Sequence, residues 1–190
     1  MTARPALRAD GGFTLVELLV TAAIAGLVTP VLTGALLTGW RTTDETVASL
    51  SDSRNRLLLP STFTRDVQSA GSVDTNTADS TCTQAGDTVV VRLRWTEIPA
   101  SGPPVAQVAA YVTRAGAGET LLERRYCDDS TGTMALRSSV SLVHGVAGTP
   151  SVTCHDAAGA TVGCAAARSV SVSVTDGSGA LTASARRRST

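Results

Sequence analysis

The sequence predicts an α+β protein, in which a long N-terminal helix, about half of it transmembrane, packs on an antiparallel β-sheet domain. Three observations predict this arrangement. Residues 13–37 are almost entirely apolar, residues 40–71 continue with helical spacing of apolar side chains, and short alternating runs follow from residue 87 onward. Helices and strands that occupy separate parts of a chain are typical of the α+β class.

The apolar run from Phe13 to Leu37 is long enough to cross a bilayer. It contains one charged residue, Glu17, and no Asn, Gln, Lys or Arg. At about 1.5 Å per residue, a helix of this length exceeds the hydrocarbon core of roughly 30 Å. Because Arg4 and Arg8 precede the run, we expect a single-pass membrane protein with a cytoplasmic N-terminus and an extracytoplasmic C-terminal domain.

Glu17 is costly in such a helix. An acidic side chain at the centre of a membrane helix costs on the order of 2.5–3.5 kcal/mol, unless it snorkels to the interface or finds a partner. Cleavage after Gly12 would supply a partner, because it creates a free α-amine on Phe13. That amine could meet Glu17 within one chain, at i and i+4, or in a neighbouring copy of a staggered helix.

Two other interpretations of the run explain less. A secretory signal cleaved at Ala23-Ile24-Ala25 would leave the apolar residues 26–37 at the new N-terminus. A plain signal anchor would cross the membrane but would give Glu17 no role beyond snorkelling.

The segment Gly12-Phe13-Thr14-Leu15-Val16-Glu17-Leu18-Leu19 resembles the class III signal of type IV prepilins and type II secretion pseudopilins. This resemblance implies a pilin-like fold and a prepilin peptidase that cuts after Gly12 and methylates the new N-terminus at Phe13. It also implies that Glu17 neutralises the N-terminus of a neighbouring subunit. The chain departs from the family in having Ala9-Asp10-Gly11, where many leaders carry Lys or Arg.

The predicted organisation has four parts: a leader at 1–12, a transmembrane and filament-core helix at 13–39, an amphipathic continuation at 40–71, and an extracytoplasmic β domain at 72–190. We expect a kink near Pro30, a break or restart at Pro60 and a stop at Gly71. The run "RDVQSAG" before that stop resembles the end of this helix in large minor pilins and J-type pseudopilins.

In the β domain, residues 72–86 are predicted to form a loop, and six or seven strands follow. The runs that predict them are "DTVVVRLRW", "VAQVAAYV", "ETLLERRYC", "SVSLVHGV", the hairpin "SVTCHDAAGATVGC", "SVSVSVT", and a last strand near Leu181. Four cysteines in an exported domain indicate two disulfides. Of the three connectivities we favour Cys82–Cys127 and Cys154–Cys164, because the second pair flanks a short polar loop.

Nothing in the sequence predicts a catalytic, cofactor-binding or metal site, and we expect no enzyme activity. Ser178 lies in Gly177-Ser178-Gly179, which is typical of a hairpin turn rather than of a nucleophile elbow. His155 with its neighbouring cysteines lacks a zinc spacing, and Asp128-Asp129 lacks a calcium-loop pattern.

These features together predict a minor pilin or pseudopilin, a subunit of the tip or priming complex of a filament. Its expected partners are the prepilin peptidase, the inner membrane before assembly, and other pilin subunits packed along Phe13–Leu37. A zero net charge gives no support for DNA binding, and no surface ligand is indicated. The alternative from a different class is an unprocessed, membrane-anchored binding domain, such as a carbohydrate or DNA receptor.

Overall fold

The computed structural model describes the secondary structure of residues 14–188 and their side chains, apart from those of residues 31 and 37–55. The chain divides into two compact units, Met1–Ala48 and Ser49–Thr190, and each is described by itself. Helix α1, Leu15–Ser69, contributes residues to both. The amphipathic spacing predicted from Trp40 to Arg54 concerns side chains outside the described residues.

In the first unit, α1 presents apolar side chains that are exposed on all sides. Leu15, Leu27 and Leu32 are each more than half exposed. The segment Leu15–Leu36 is a candidate membrane span by its length and composition. A helix that is hydrophobic all round must be covered by lipid or by other helices.

The second unit holds eight strands in two antiparallel sheets. A five-stranded sheet has the order β1-β2-β3-β4-β5, and a three-stranded sheet has the order β6-β7-β8. The strands are β1 Ser72–Asp74, β2 Thr88–Glu97, β3 Val105–Gly116, β4 Glu119–Asp128, β5 Ala135–Val143, β6 Ala147–His155, β7 Ser169–Asp176 and β8 Gly179–Arg186. A helix followed by an antiparallel β domain confirms the predicted α+β class.

One main core joins the C-terminal turns of α1 to both sheets. Leu59, Phe63 and Val67 of α1 are fully buried, and their four-residue spacing places them on one face of the helix. The Phe63 ring meets Tyr111 of β3 edge to face, with centroids 5.4 Å apart. In β7 the buried valines alternate with serines, as the sequence predicted, and Val172 of that strand belongs to the same core.

The opposite face of the five-stranded sheet is covered by the segment between β1 and β2. The Cys82–Cys127 disulfide fastens this segment to β4. The guanidinium of Arg92, which is fully buried, donates hydrogen bonds to the carbonyl oxygens of Thr81 and Asn76 at 2.9 and 2.7 Å. The polar loop predicted at residues 72–86 therefore packs over the sheet instead of extending into solvent.

Three expectations from the sequence differ from the structure. Residues 72–86 are not all loop, because Ser72–Asp74 pairs with β2 as β1. The expected hairpin at 151–164 has one full strand, β6, which continues into a single bridge from His155 to Thr161 and a 3-10 turn at Cys164–Ala166.

The third difference is the break expected at Pro60, which is absent because α1 is helical through both Pro30 and Pro60. A proline inside a helix costs about 3 kcal/mol, because it removes one hydrogen bond and its ring crowds the carbonyl of residue i−4. The burial of Leu59 and Phe63 on either side of Pro60 offsets that cost.

A buried polar cluster connects α1 to the five-stranded sheet. Asp66 is 2% exposed and lies on the apolar face of α1. It accepts hydrogen bonds from Tyr111 Oη at 2.8 Å and from both Nε and Nη2 of Arg124, the latter at 2.9 Å. Burial and the adjacent Asp66 carboxylate hold the pKa of Tyr111 well above its usual value. The raised pKa keeps the Tyr111 phenol protonated, so its hydroxyl donates the hydrogen bond to Asp66.

We expect Asp66→Ala to lower the free energy of unfolding by roughly 3–5 kcal/mol, because it leaves the Arg124 charge buried without its partner. Urea unfolding of the full chain in mild detergent, followed by circular dichroism, measures the loss. Glu119→Ala is the matched control, since it removes a carboxylate that is 43% exposed and pairs with His144. A similar loss in both variants would contradict the assigned role of Asp66.

Candidate functional site

The first turn of α1 begins at a threonine cap. The Thr14 carbonyl accepts the hydrogen bond of Leu18 N at 3.2 Å, and the Thr14 hydroxyl accepts that of Glu17 N at 3.3 Å. Thr14 therefore occupies the N-cap position, and Glu17 falls three residues later, in the T-x-x-E order of a capping box. The side chain and the carbonyl of one residue together fix where the helix starts.

Glu17 is the acidic residue of this first turn, and its side chain is exposed. The positive end of the helix dipole favours a carboxylate there. Gly12 and Phe13, the other two predicted processing residues, lie outside the residues that the structure describes. The structure therefore places Glu17 in the first turn of α1, and in sequence it lies four residues after the predicted new N-terminus at Phe13.

The other polar side chains of the apolar span are satisfied within the helix itself. The hydroxyls of Thr21, Thr29 and Thr33 each donate to the carbonyl oxygen four residues earlier, at 3.0, 2.7 and 2.8 Å. Such bonds hide a hydroxyl from hydrocarbon. Glu17 is consequently the one side chain in Leu15–Leu36 that brings a charge into the span.

The four cysteines form the pairs Cys82–Cys127 and Cys154–Cys164, which is the connectivity that the sequence favoured. In the chain-entropy account, closing loops of 45 and 10 residues stabilises the fold by about 4 and about 2.7 kcal/mol. Both pairs lie in the second unit, far in sequence from the predicted processing residues, and none of these four sulfurs is a free thiol.

The two aspartates weighed for calcium binding have other partners. Asp128 accepts hydrogen bonds from Arg137 and Ser130, which hold the pKa of its carboxyl down at about 2. Asp129 accepts the backbone N–H of Ala106 at 2.7 Å. Among the side chains that the structure describes, His, Cys, Asp and Glu form no group of three that could hold a metal ion.

Sequence reasoning missed two features of the second unit. One is the Asp66 cluster, whose only sequence signal is an acidic residue on the apolar face of the helix. The other is a cavity beside that cluster, lined in part by Trp95 and Tyr126. The two aromatic residues lie 31 positions apart, on strands separated by a third, so no local pattern relates them.

A comparison with protein families supports the N-terminal assignment. Residues 7–29 match the family model described as the prokaryotic N-terminal methylation motif. The matched segment contains Gly12, Phe13 and Glu17 and runs into the span of α1. No curated protein matches the chain.

The motif and the fold together define a class of protein. The N-terminal methylation motif is typical of the class III signal peptide of type IV prepilins and pseudopilins. The apolar helix and the antiparallel domain that follows it agree with the α+β fold of type IV pilins. The chain therefore has the features of a type IV pilin-like or pseudopilin-like precursor, a class of structural subunits that a prepilin peptidase processes.

Proposed function

We propose that this protein is a minor subunit of a type IV pilus-like or type II secretion-like filament. In this proposal the peptidase cuts after Gly12 and methylates Phe13, and the mature chain begins with the filament-core helix. The observation that carries the proposal is the single charge of the span, Glu17, which lies in the first turn of α1 within the matched motif.

The chemistry at the helix start supports a role for Glu17 in assembly. The cap at Thr14 directs the chain into a helix just after Phe13, so a liberated amine would lie one turn from the Glu17 carboxylate. In a stack of parallel helices offset along their axes, the carboxylate of one subunit can face the amine of the next. Pairing in a low dielectric is much stronger than in water, and it removes the cost of the buried charge.

The surface of the span supports packing between helices. Ala22, Gly26, Pro30 and Gly34 recur every four residues and therefore share one side of α1. A Cβ added at Gly26 or Gly34 would meet no atom within 4 Å. Small residues at this spacing let helix backbones approach closely in a membrane or a filament core.

The second unit supports a subunit of low copy number. It contains two disulfides and two antiparallel sheets. Such a domain suits a specialised subunit in the tip or priming complex. This assignment is an analogy with pilin-like filaments. The proposed boundaries of the mature subunit are 13–39 for the filament-core helix, 40–71 for its continuation and 72–190 for the extracytoplasmic domain.

The mature N-terminus is the direct test of processing. We expect mass spectrometry of the protein from its native membrane to find a chain that begins with N-methylated Phe13. Gly12→Val replaces the small residue that the peptidase needs before the cleaved bond, and this variant should keep its leader. A wild-type chain that keeps residues 1–12, or one that begins at Gly26, would contradict the proposal and favour the unprocessed, membrane-anchored binding domain.

Substitutions of Glu17 test whether its carboxylate is needed for filament assembly. We expect Glu17→Val to insert into the membrane at least as well as the wild type, because a charge is removed, and to lose most of its incorporation into sheared filaments. Glu17→Asp, which keeps the charge, is the matched control and should retain part of that incorporation. Normal incorporation of the Val variant would mean that the carboxylate only snorkels.

A further inference from the structure

The second unit contains a cavity of about 610 Å³ beside the last turns of α1. Trp95 of β2, Gln107 of β3 and Tyr126 of β4 line it from the sheet, and Arg65 and Asp66 line it from the helix. This volume falls within the range of roughly 300–1,000 Å³ that is usual for small-molecule sites. The cavity is open to solvent and lies wholly within Ser49–Thr190.

Two aromatic rings form part of its wall. The Trp95 and Tyr126 rings are inclined by 28°, with centroids 6.2 Å apart, and both side chains are only partly buried. The guanidinium of Arg124 lies 5.3 Å from the centroid of the Tyr126 ring, where a cation–π contact steadies it. The chain has just two residues each of Trp, Tyr and Phe. Trp95 also packs against the edge of the main core, and both Trp95 and Tyr126 leave part of their surface exposed at the cavity.

Planar polar groups stand next to these rings. The Gln107 amide donates a hydrogen bond to the Glu97 carboxylate, and both side chains line the cavity. Gln107 is 6% exposed, so its amide is held in place by the surrounding sheet. An amide and a carboxylate offer both donors and acceptors, which is what a ligand rich in hydroxyl groups requires.

The charges around the cavity balance. Its wall carries two guanidinium groups and two carboxylates, on Arg65, Arg124, Asp66 and Glu97. A nucleic acid needs uncompensated positive charge to bind its phosphates. The balance therefore favours a neutral ligand.

We propose that this cavity binds a neutral saccharide, with the C–H face of one pyranose ring against Trp95 and its hydroxyl groups bonded to Glu97 and Gln107. A sugar combines an apolar face with a polar rim, and the cavity combines an aromatic wall with adjacent amide and carboxylate groups. The proposal adds a ligand-binding role to the structural one and holds whether or not the leader is removed.

The test uses the full chain in lipid nanodiscs, because a detergent with a sugar headgroup would compete for the site. Four neutral disaccharides serve as probes: cellobiose, maltose, lactose and N,N′-diacetylchitobiose. Saturation-transfer NMR should show that at least one of these sugars binds with a millimolar dissociation constant. The C–H protons of that sugar should receive the strongest transfer. With Trp40→Phe as background, Trp95 is the only tryptophan, and its fluorescence should change with the same constant.

Two variants separate this site from nonspecific binding. Trp95→Ala should weaken binding at least tenfold, and Glu97→Gln, on an exposed side chain that need not affect folding, at least threefold. Leu136→Ala is the control, because Leu136 is exposed on β5 and does not line the cavity. The proposal is overturned if no disaccharide binds at 20 mM, if both cavity variants bind as the wild type does, or if duplex DNA binds this cavity and displaces the sugar.

Discussion

A negative charge in an apolar helix is the constraint on which this molecule depends. The span Leu15–Leu36 satisfies its threonine hydroxyls internally and exposes apolar side chains on every side, so lipid or neighbouring helices can cover it. Glu17 alone cannot be satisfied in this way, because a carboxylate needs a cation or water. Its place in the first turn, after a cap at Thr14, leaves the immediate N-terminal side as the nearest source of positive charge. In the proposed function, cleavage after Gly12 creates that charge, and proteolysis thereby controls when the subunit can polymerise.

The second unit has a core with few large side chains, so it depends on more than apolar packing. Valine, leucine and alanine make up most of it, and Phe63 and Tyr111 supply its only described aromatic contact between helix and sheet. Fixed polar connections add specificity to this core. Asp66 sets the position of α1 against β3 and β4, and Arg92 with the Cys82–Cys127 disulfide holds the segment between β1 and β2 on the other face of the sheet. Arg187, near the C-terminus, donates to the carbonyl oxygens of Ala70 and Gly71 and so holds the segment that immediately follows α1.

Local patterns in the sequence predicted the features that local physics determines. The apolar run predicted the span, and the alternation in "SVSVSVT" predicted β7. The division into two sheets, the short strand β1 and the Asp66 cluster depend on pairs of residues far apart in the chain. Helical periodicity also could not predict that α1 continues through Pro60, because packing on the sheet decides that outcome. At the predicted processing site, the motif indicated Gly12, Phe13 and Glu17, but only the structure revealed the capping hydrogen bonds of Thr14.

In the proposed function, Glu17 of one subunit pairs with the amino group of another, and a distance measured between labelled subunits detects this pairing. One population of the protein carries ¹⁵N at the amine of Phe13, a second carries ¹³C at the Glu17 carboxylate, and the two are assembled together into filaments. The account predicts dipolar dephasing in solid-state NMR that corresponds to a separation of about 4 Å, the range of an ion pair. Dephasing that occurs only when both labels are in the same chain would contradict the account, because the carboxylate would then be neutralised within its own subunit.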